Sequence, residues 1–141
     1  MTSRDEVSAP QSGLAQVCFA MASLSAVLGI ALGMFMGIQN DHTLTPVHAH
    51  INLIGWVSLF LFGVYYHLHP QVVGWLAKLQ VALVAVGAVM AFGNLALMLT
   101  TGDRSLLVIT IVGSVMVFAG FLMFCVVVWR EGLRRTSSQR P

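Results

Sequence analysis

Two histidines, His48 and His50, lie near the start of an apolar stretch that covers residues 46–69. The stretch is long enough to cross a membrane, and ionisable side chains in hydrocarbon are costly, so these histidines are candidate functional residues. Imidazole is also the commonest metal ligand among protein side chains. At 3.6 residues per turn, their spacing places the two side chains about 200° apart around a helix. We therefore expect each imidazole to reach a different neighbour.

Two interpretations of His48 and His50 are open at this point: imidazoles solvated at the membrane interface, or ligands of a metal. The other histidines fit more ordinary roles. His67 and His69 lie at the opposite end of the stretch, where a half-wet imidazole costs little, and His42 lies in a loop. A metal-ion site built from His42, His48 and His50 in a transporter is a further alternative.

The composition is that of an integral membrane protein. Of the 141 residues, 57% are hydrophobic and 9% are charged, and the mean hydropathy is +0.86. Soluble domains carry about 25% charged residues. The net charge of +2 gives no indication of nucleic-acid binding. Cys18 and Cys125 lie in apolar runs, which favours buried thiols over a disulfide, and no C-x-x-C-H motif is present for covalent haem.

Four apolar runs predict an all-α, integral membrane four-helix bundle. The runs are residues 14–38, 46–69, 76–99 and 106–129. Each is near the ~20 residues that span hydrocarbon, and the short linkers make consecutive helices antiparallel neighbours. A polar N-terminal tail, residues 1–13, precedes the transmembrane domain, residues 14–129, and a basic C-terminal tail, residues 130–141, follows it.

Lysine and arginine predict the orientation of this bundle. Most of them fall in the tails or next to the second linker: Arg4, Lys78, Arg130, Arg134, Arg135 and Arg140. The opposite side carries only Arg104. The positive-inside rule therefore predicts cytoplasmic termini in a bacterial-type inner membrane, with His48 and His50 near the outer surface. Trp75 and Trp129 would lie in the aromatic belt on the cytoplasmic side.

The second run has the features of a fixed helix start. Thr45 is an acceptable N-cap and Pro46 suits the first helical position, so both histidines would project from a defined helix end. Gly55 allows the close approach of another helix or of a flat ligand. A row of small residues in the first run has the spacing of helix packing: Gly29, Gly33 and Gly37.

The motif His48-Ala49-His50-x-x-x-x-Gly55-Trp56 resembles the tenth transmembrane helix in subunit I of the haem–copper oxidase superfamily. Further along, Gly63, His67 and Pro70 fall at spacings similar to those of the superfamily's A-type oxidases. The spacing of Val47-His48 and Tyr65-Tyr66 is similar to that in the second helix of nitric oxide reductases. That subunit contains three groups of four helices, and the present chain would correspond to one such group. Outside the second run, the resemblance extends only to helix number, topology and loop length.

This resemblance implies that His48 and His50 are axial ligands of non-covalent haem b. In the family, the first histidine of the pair ligates the high-spin haem and the second ligates the low-spin haem. Arg104 lies in the loop equivalent to the one that binds haem propionates, and Gly55 and Trp56 belong to the haem-binding motif. The other three runs contain no histidine, so the copper site of the family is missing. Neither oxygen nor nitric oxide reduction is implied, and we expect no enzyme.

No other helix of the same chain carries a histidine at the depth of His48 and His50, so bis-histidine ligation requires a homo-oligomer. We expect a homotrimer in preference to a homodimer, with haem at subunit interfaces near the periplasmic or extracellular side. Iron with two histidine ligands has no open position, which indicates one-electron transfer with an unknown donor and acceptor. A haem carrier, a haem sensor or a structural module without redox turnover are the alternatives. Asn94 either orients a ligand imidazole or forms a bond between helices.

Overall fold

The computed structural model describes residues 13–138, and this part of the chain contains helices and short loops but no strand. The helices are Gly13–Gln39, Thr45–Leu68, Trp75–Thr101 and Leu107–Ser138. All four are long and apolar enough to cross a membrane, which confirms the prediction of an all-α chain with four such helices. The predicted polar tail, except for Gly13, and residues 139–141 lie outside the described residues.

Short connections join the helices into an antiparallel bundle with two distinct ends. The loop end holds residues 40–44 and 102–106, and the termini end holds residues 69–74 together with Gly13. His48 and His50 lie at the loop end, within two turns of the start of the second helix. The side of a membrane that each end faces stays a prediction.

Two aspartates shape the connections at the loop end. Asp41 accepts hydrogen bonds from the Thr43 hydroxyl at 2.6 Å and the Thr43 amide at 2.9 Å. Asp103 accepts them from the Ser105 amide and hydroxyl, both at 2.8 Å. Because these bonds favour the ionised form, they lower the pKa of both carboxyl groups. Gly102 closes the third helix at φ 72°, a left-handed conformation in which a glycine avoids the steric cost of a Cβ.

The second helix begins one residue earlier than predicted. Its N-cap is Leu44, so the prediction that Thr45 caps the helix is wrong. The Thr45 hydroxyl instead donates to the carbonyl oxygen of His42 at 2.7 Å, and Pro46 lies in the first helical turn as expected. As predicted, the two histidines project from an ordered helix end and not from a loop.

The middle of the second helix is π-helical from Ile51 to Ser58, directly after His50. The Ser58 hydroxyl donates to the carbonyl oxygen of Leu53, five residues earlier, at 2.7 Å. π-Helical turns are rare and occur frequently at functional sites. This one separates the turn that carries the two histidines from the half of the helix that packs at the termini end.

The third and fourth helices approach each other closely at two glycines. A Cβ on Gly87 would lie 2.7 Å from the carbonyl oxygen of Gly113, and a Cβ on Gly113 would lie 2.6 Å from the amide nitrogen of Ala91. Real side chains do not tolerate such distances without movement of the backbone. Small residues therefore set the separation of these helices, as is common where helices pack in lipid.

The first and second helices form the other close pair, and the second helix connects the two pairs. Gly55 lies against the side chain of Ser25, and Gly63 lies against Phe19. On its other side the second helix packs against the third. It is therefore the central element of the bundle, and its histidine-bearing turn has a neighbouring helix on either side.

The buried residues form one cluster toward each end of the bundle. The cluster near the loop end contains Val47 and Phe92, and the one near the termini end contains Cys18 and Tyr66. Tyr66 donates a hydrogen bond to Oε1 of Gln80 at 3.0 Å, and both side chains are fully buried. Neither residue of this polar pair is among the predicted site residues. Both cysteines are free, but Cys125 is exposed on the helix surface, so the expectation of two buried thiols is wrong for it.

We predict that Gly87→Ala destabilises the bundle whereas Gly93→Ala does not. The added methyl group at position 87 meets the backbone of Gly113, and overpacking of this kind costs about 1–3 kcal/mol. A Cβ on Gly93, in the same helix, meets nothing within 4 Å. Because alanine has the higher helix propensity, Gly93→Ala should raise the free energy of unfolding by up to about 1 kcal/mol. Reversible unfolding in mixed detergent micelles measures both effects. Equal loss of stability in the two variants would contradict the close approach of the third and fourth helices.

Candidate functional site

His48 is held between the first and second helices by a hydrogen bond and a steric fit. Its Nδ1 lies 3.0 Å from the carbonyl oxygen of Gly29, and the side chain is half-buried. A Cβ on Gly33 would lie 2.8 Å from Cε1 of the imidazole, so the ring occupies space that any other residue at position 33 would fill. Because a carbonyl can only accept, Nδ1 carries the proton of this bond, and Nε2 lies 3.4 Å from Nδ2 of Asn52.

Asn52 lies one turn after His48 and contacts both His48 and Gly29. Its Nδ2 donates to the carbonyl oxygen of His48 at 2.8 Å, and its Oδ1 would lie 2.5 Å from a Cβ on Gly29. Gly29 and Gly33 therefore accommodate an amide and an imidazole, while a Cβ on Gly37 meets nothing within 4 Å. The glycine row was predicted to pack helix against helix; two of its members instead make room for polar side chains of the second helix.

His50 lies on the opposite side of the second helix and faces the third. Its Nδ1 lies 2.6 Å from the carbonyl oxygen of Pro46, so Nδ1 again donates and Nε2 is left with its lone pair. The centroid of its ring lies 5.0 Å from that of Phe92. The side chain itself is exposed. The two imidazoles thus contact different helices, as their spacing predicts.

His50 lines a groove of about 460 Å³ between the second, third and fourth helices. Most of the lining is apolar or aromatic, and Thr110 and Ser114 contribute two hydroxyl groups from the fourth helix. The Thr110 hydroxyl donates to the carbonyl oxygen of Leu106, just before this helix, at 3.3 Å, and the Ser114 hydroxyl donates to the carbonyl oxygen of Thr110 at 2.8 Å. Pockets for small ligands and cofactors are mostly apolar, have a few placed polar groups and measure about 300–1,000 Å³. The groove has these properties.

The other histidines differ from this pair. His69 also directs Nδ1 to the carbonyl oxygen one turn back, Tyr65, at 3.0 Å, so that bond alone does not mark a ligand. Its ring, however, stacks on Tyr65 with a centroid separation of 4.5 Å and an interplanar angle of 19°. His67 and His42 are exposed. Among the histidines, only His48 bonds to another helix, and only His50 borders the groove.

The remaining predicted site residues do not surround the two imidazoles. Gly55 is buried against Ser25, and Trp56 lines a separate groove with Phe19 and Phe60. Asn94 donates to the carbonyl oxygen of Met90 within the third helix at 2.6 Å. Its amide is thus satisfied locally, and the orienting role considered for it stays a prediction. Arg104 is exposed in the connection at the loop end.

No group of three histidine, cysteine, aspartate or glutamate side chains that could hold a metal ion occurs within residues 13–138. The metal-ion site considered for His42, His48 and His50 is therefore not formed within one chain. Each candidate ligand supplies one imidazole to its own side of the second helix, and a second ligand would have to come from elsewhere.

No family model, no curated protein and no solved structure matches this chain. The similarity of its second helix to subunit I of the haem–copper oxidases is therefore an expectation from its own residues.

We predict that Gly33→Ala breaks the hydrogen bond between His48 and Gly29. The methyl group would overlap the imidazole, which must rotate away, whereas Gly37→Ala, one turn along the same helix, meets open space. Nitrogen NMR of histidine-labelled protein, assigned with His48→Gln, reports the Nδ1–H bond. Only Gly33→Ala should move the His48 signal toward that of a solvated imidazole. An unchanged signal in Gly33→Ala would rule out the fit between ring and glycine.

Proposed function

We propose that this protein is a membrane cytochrome that binds haem b without a covalent link, with His48 and His50 as axial ligands. The observation that carries the proposal is the Nδ1 bond of His48 to the Gly29 carbonyl oxygen of another helix, together with the position of His50 at the border of the apolar groove. Both imidazoles have Nδ1 bonded to a backbone carbonyl oxygen, so Nε2 would be the ligand atom of each, and Nε2 of His48 would exchange its 3.4 Å contact with Nδ2 of Asn52 for iron. Ligand histidines in metalloproteins almost always donate their other nitrogen in this way, because it fixes the tautomer and the ring orientation.

The groove beside His50 suits a flat, mostly apolar macrocycle. Phe92, Phe118 and Phe121 supply aromatic surface, and the exposed His50 ring provides a ligand at its border. When bound, haem with two imidazole ligands supplies one-electron transfer and leaves no position for oxygen. The proposal therefore includes no oxidase or nitric oxide reductase activity. The electron donor and acceptor are not identified by it.

The second axial ligand of each haem would come from another copy of the chain. His48 and His50 lie on opposite sides of one helix, so a pairing of His48 with His50 of the next chain makes every interface heterologous. Such interfaces close into a ring or continue as a filament. Three copies of four helices give twelve, the number in the family's subunit, so we favour a homotrimer over a homodimer.

The loop end would also supply a contact to the haem propionates. Arg104, exposed in the third connection, is positioned at the same end as both histidines and would pair with the haem propionates. Under the predicted orientation, the haem edge then lies on the periplasmic or extracellular side of a bacterial-type inner membrane. Membrane lipid surrounds the rest of the assembly.

We predict that His48→Ala and His50→Ala each lower haem occupancy by more than about tenfold, since ligand removal should cost at least as much as loss of a ligand's supporting hydrogen bond. His67→Ala is the matched control, because it removes an imidazole of the same helix at the opposite end. Reduced-minus-oxidised spectra of protein purified from haem-supplied cells measure the effect. A wild-type protein without a Soret band would refute haem binding. Wild-type α and β bands in both His48→Ala and His50→Ala would refute the ligand assignment but not haem binding itself.

Assembly is tested by native mass spectrometry of the purified holoprotein. A ring in which His48 of one chain meets His50 of the next contains one haem per chain, so three chains should carry three haems. In a twofold dimer, equivalent histidines meet on the axis, which gives one haem per two chains and leaves the other histidine unused. A mass of two chains with one haem would exclude the ring.

A further inference from the structure

A small polar pocket lies at the termini end, on the far side of the bundle from the two histidines. It has a volume of about 210 Å³, several times the roughly 30 Å³ that one water molecule occupies. Its walls come from the second connection (residues 69–74), the first turn of the third helix and the last turns of the fourth helix, and they include Gln71, Gly74, Leu76, Arg130, Glu131 and Arg134. The helix reaches this pocket because it has 32 residues, about 48 Å at 1.5 Å per residue, whereas hydrocarbon is about 30 Å thick.

A buried carboxylate fixes the two walls of the pocket to each other. Gln71 Nε2 donates to Oε1 of Glu131 at 2.7 Å, although the residues are 60 positions apart in the chain. Glu131 is only 8% exposed. The bond joins the second connection to the extension of the fourth helix, so the pocket has a defined shape and is not a crevice between independent segments.

Most of the charged side chains that line the described pocket are basic. Two guanidinium groups, Arg130 and Arg134, lie one helical turn apart, and Glu131 contributes a carboxylate. Within the described residues, the Arg130 side chain makes no hydrogen bond or ion pair. A guanidinium group in this position can bind a phosphate oxygen through paired N–H groups, a geometry that arginine provides and lysine does not.

Two tryptophans place the pocket at the level of lipid headgroups. Trp75 and Trp129 are next to its walls in sequence and are 74% and 72% exposed. Exposed tryptophans at the ends of membrane helices mark the interface between hydrocarbon and headgroups. The half-buried Leu76 lines the same pocket directly after Trp75, so the charged part of the pocket adjoins exposed apolar surface that acyl chains can contact.

We propose that this pocket binds the phosphate of an anionic phospholipid, with Arg130 and Arg134 as the anion-binding groups. Basic pockets between membrane helices near the cytoplasmic face bind anionic headgroups, and the charge distribution predicts that this end is cytoplasmic. A free phosphate ion shares the chemistry of the headgroup. The lipid is favoured because the tryptophans and the apolar wall adjoin the guanidinium groups.

Lipid retention by the full-length protein in detergent, measured by native mass spectrometry, tests the proposal. Phosphatidylglycerol should be retained about tenfold more than phosphatidylcholine, because the latter carries a compensating cation. Arg130→Gln and Arg134→Gln should each lower phosphatidylglycerol retention about tenfold, the effect of losing one charge-assisted hydrogen bond. Lys78→Gln is the matched control: it removes a positive charge at the same end from a residue outside the pocket lining, and it should change retention less than about twofold.

Three results would overturn the assignment. Equal retention of the two lipids would exclude an anion site. An equal loss in Lys78→Gln and Arg130→Gln would indicate diffuse surface charge in place of a pocket. Displacement of phosphatidylglycerol by millimolar inorganic phosphate would identify a free anion, not a lipid, as the ligand. Helicity and thermal unfolding of each variant, measured in the same detergent, exclude misfolding as the cause, and Arg130→Lys should keep part of the retention.

Discussion

The hydrogen bond between His48 and the Gly29 carbonyl oxygen is the contact on which the candidate site depends. In hydrocarbon, a polar atom without a partner costs several kcal/mol, so an imidazole inside a bundle requires an acceptor from the protein. A helical carbonyl has a second lone pair beyond the one used in its own helix. Gly29 offers that lone pair, and Gly33, one turn later, lacks the Cβ that would block the ring. One turn of the first helix thus provides both the acceptor and the space.

The second helix has to satisfy requirements on two sides at once, which accounts for its irregular middle. Toward the first helix it presents His48, Asn52 and Gly55, and toward the third it presents His50. The π-helical segment begins immediately after His50, and the Ser58 hydroxyl supports it by binding the carbonyl oxygen of Leu53. A wider turn at this point sets the direction of the histidines relative to the half of the helix that contains Tyr66. π-Helical turns are rare, and they occur frequently where a functional site requires side chains in fixed directions.

Features that depend on one stretch of sequence were predicted well, and features that depend on two were not. The apolar length of each run predicts four helices, and the spacing of His48 and His50 predicts that they face different neighbours. The bond from His48 to Gly29 could not be predicted, because it depends on the axial register between two helices. The same applies to Gln80, whose polar side chain reads as an anomaly in an apolar run until Tyr66 is placed against it. The exposure of Cys125 likewise depends on which face of the fourth helix is left open.

His69 shows what an ordinary interfacial histidine looks like in this fold, and the comparison weighs against the same interpretation of His48. His69 bonds within its own helix and stacks on its neighbour Tyr65, so it needs no adjustment of any other helix. His48 binds across to the first helix at a position where two glycines admit its ring and the amide of Asn52. A solvated imidazole would gain nothing from this arrangement, since water could satisfy Nδ1 in any rotamer. Inside the bundle the bond satisfies Nδ1, and because the acceptor belongs to another helix, the bond also fixes the direction of Nε2, the atom that would bind iron in the proposed cytochrome.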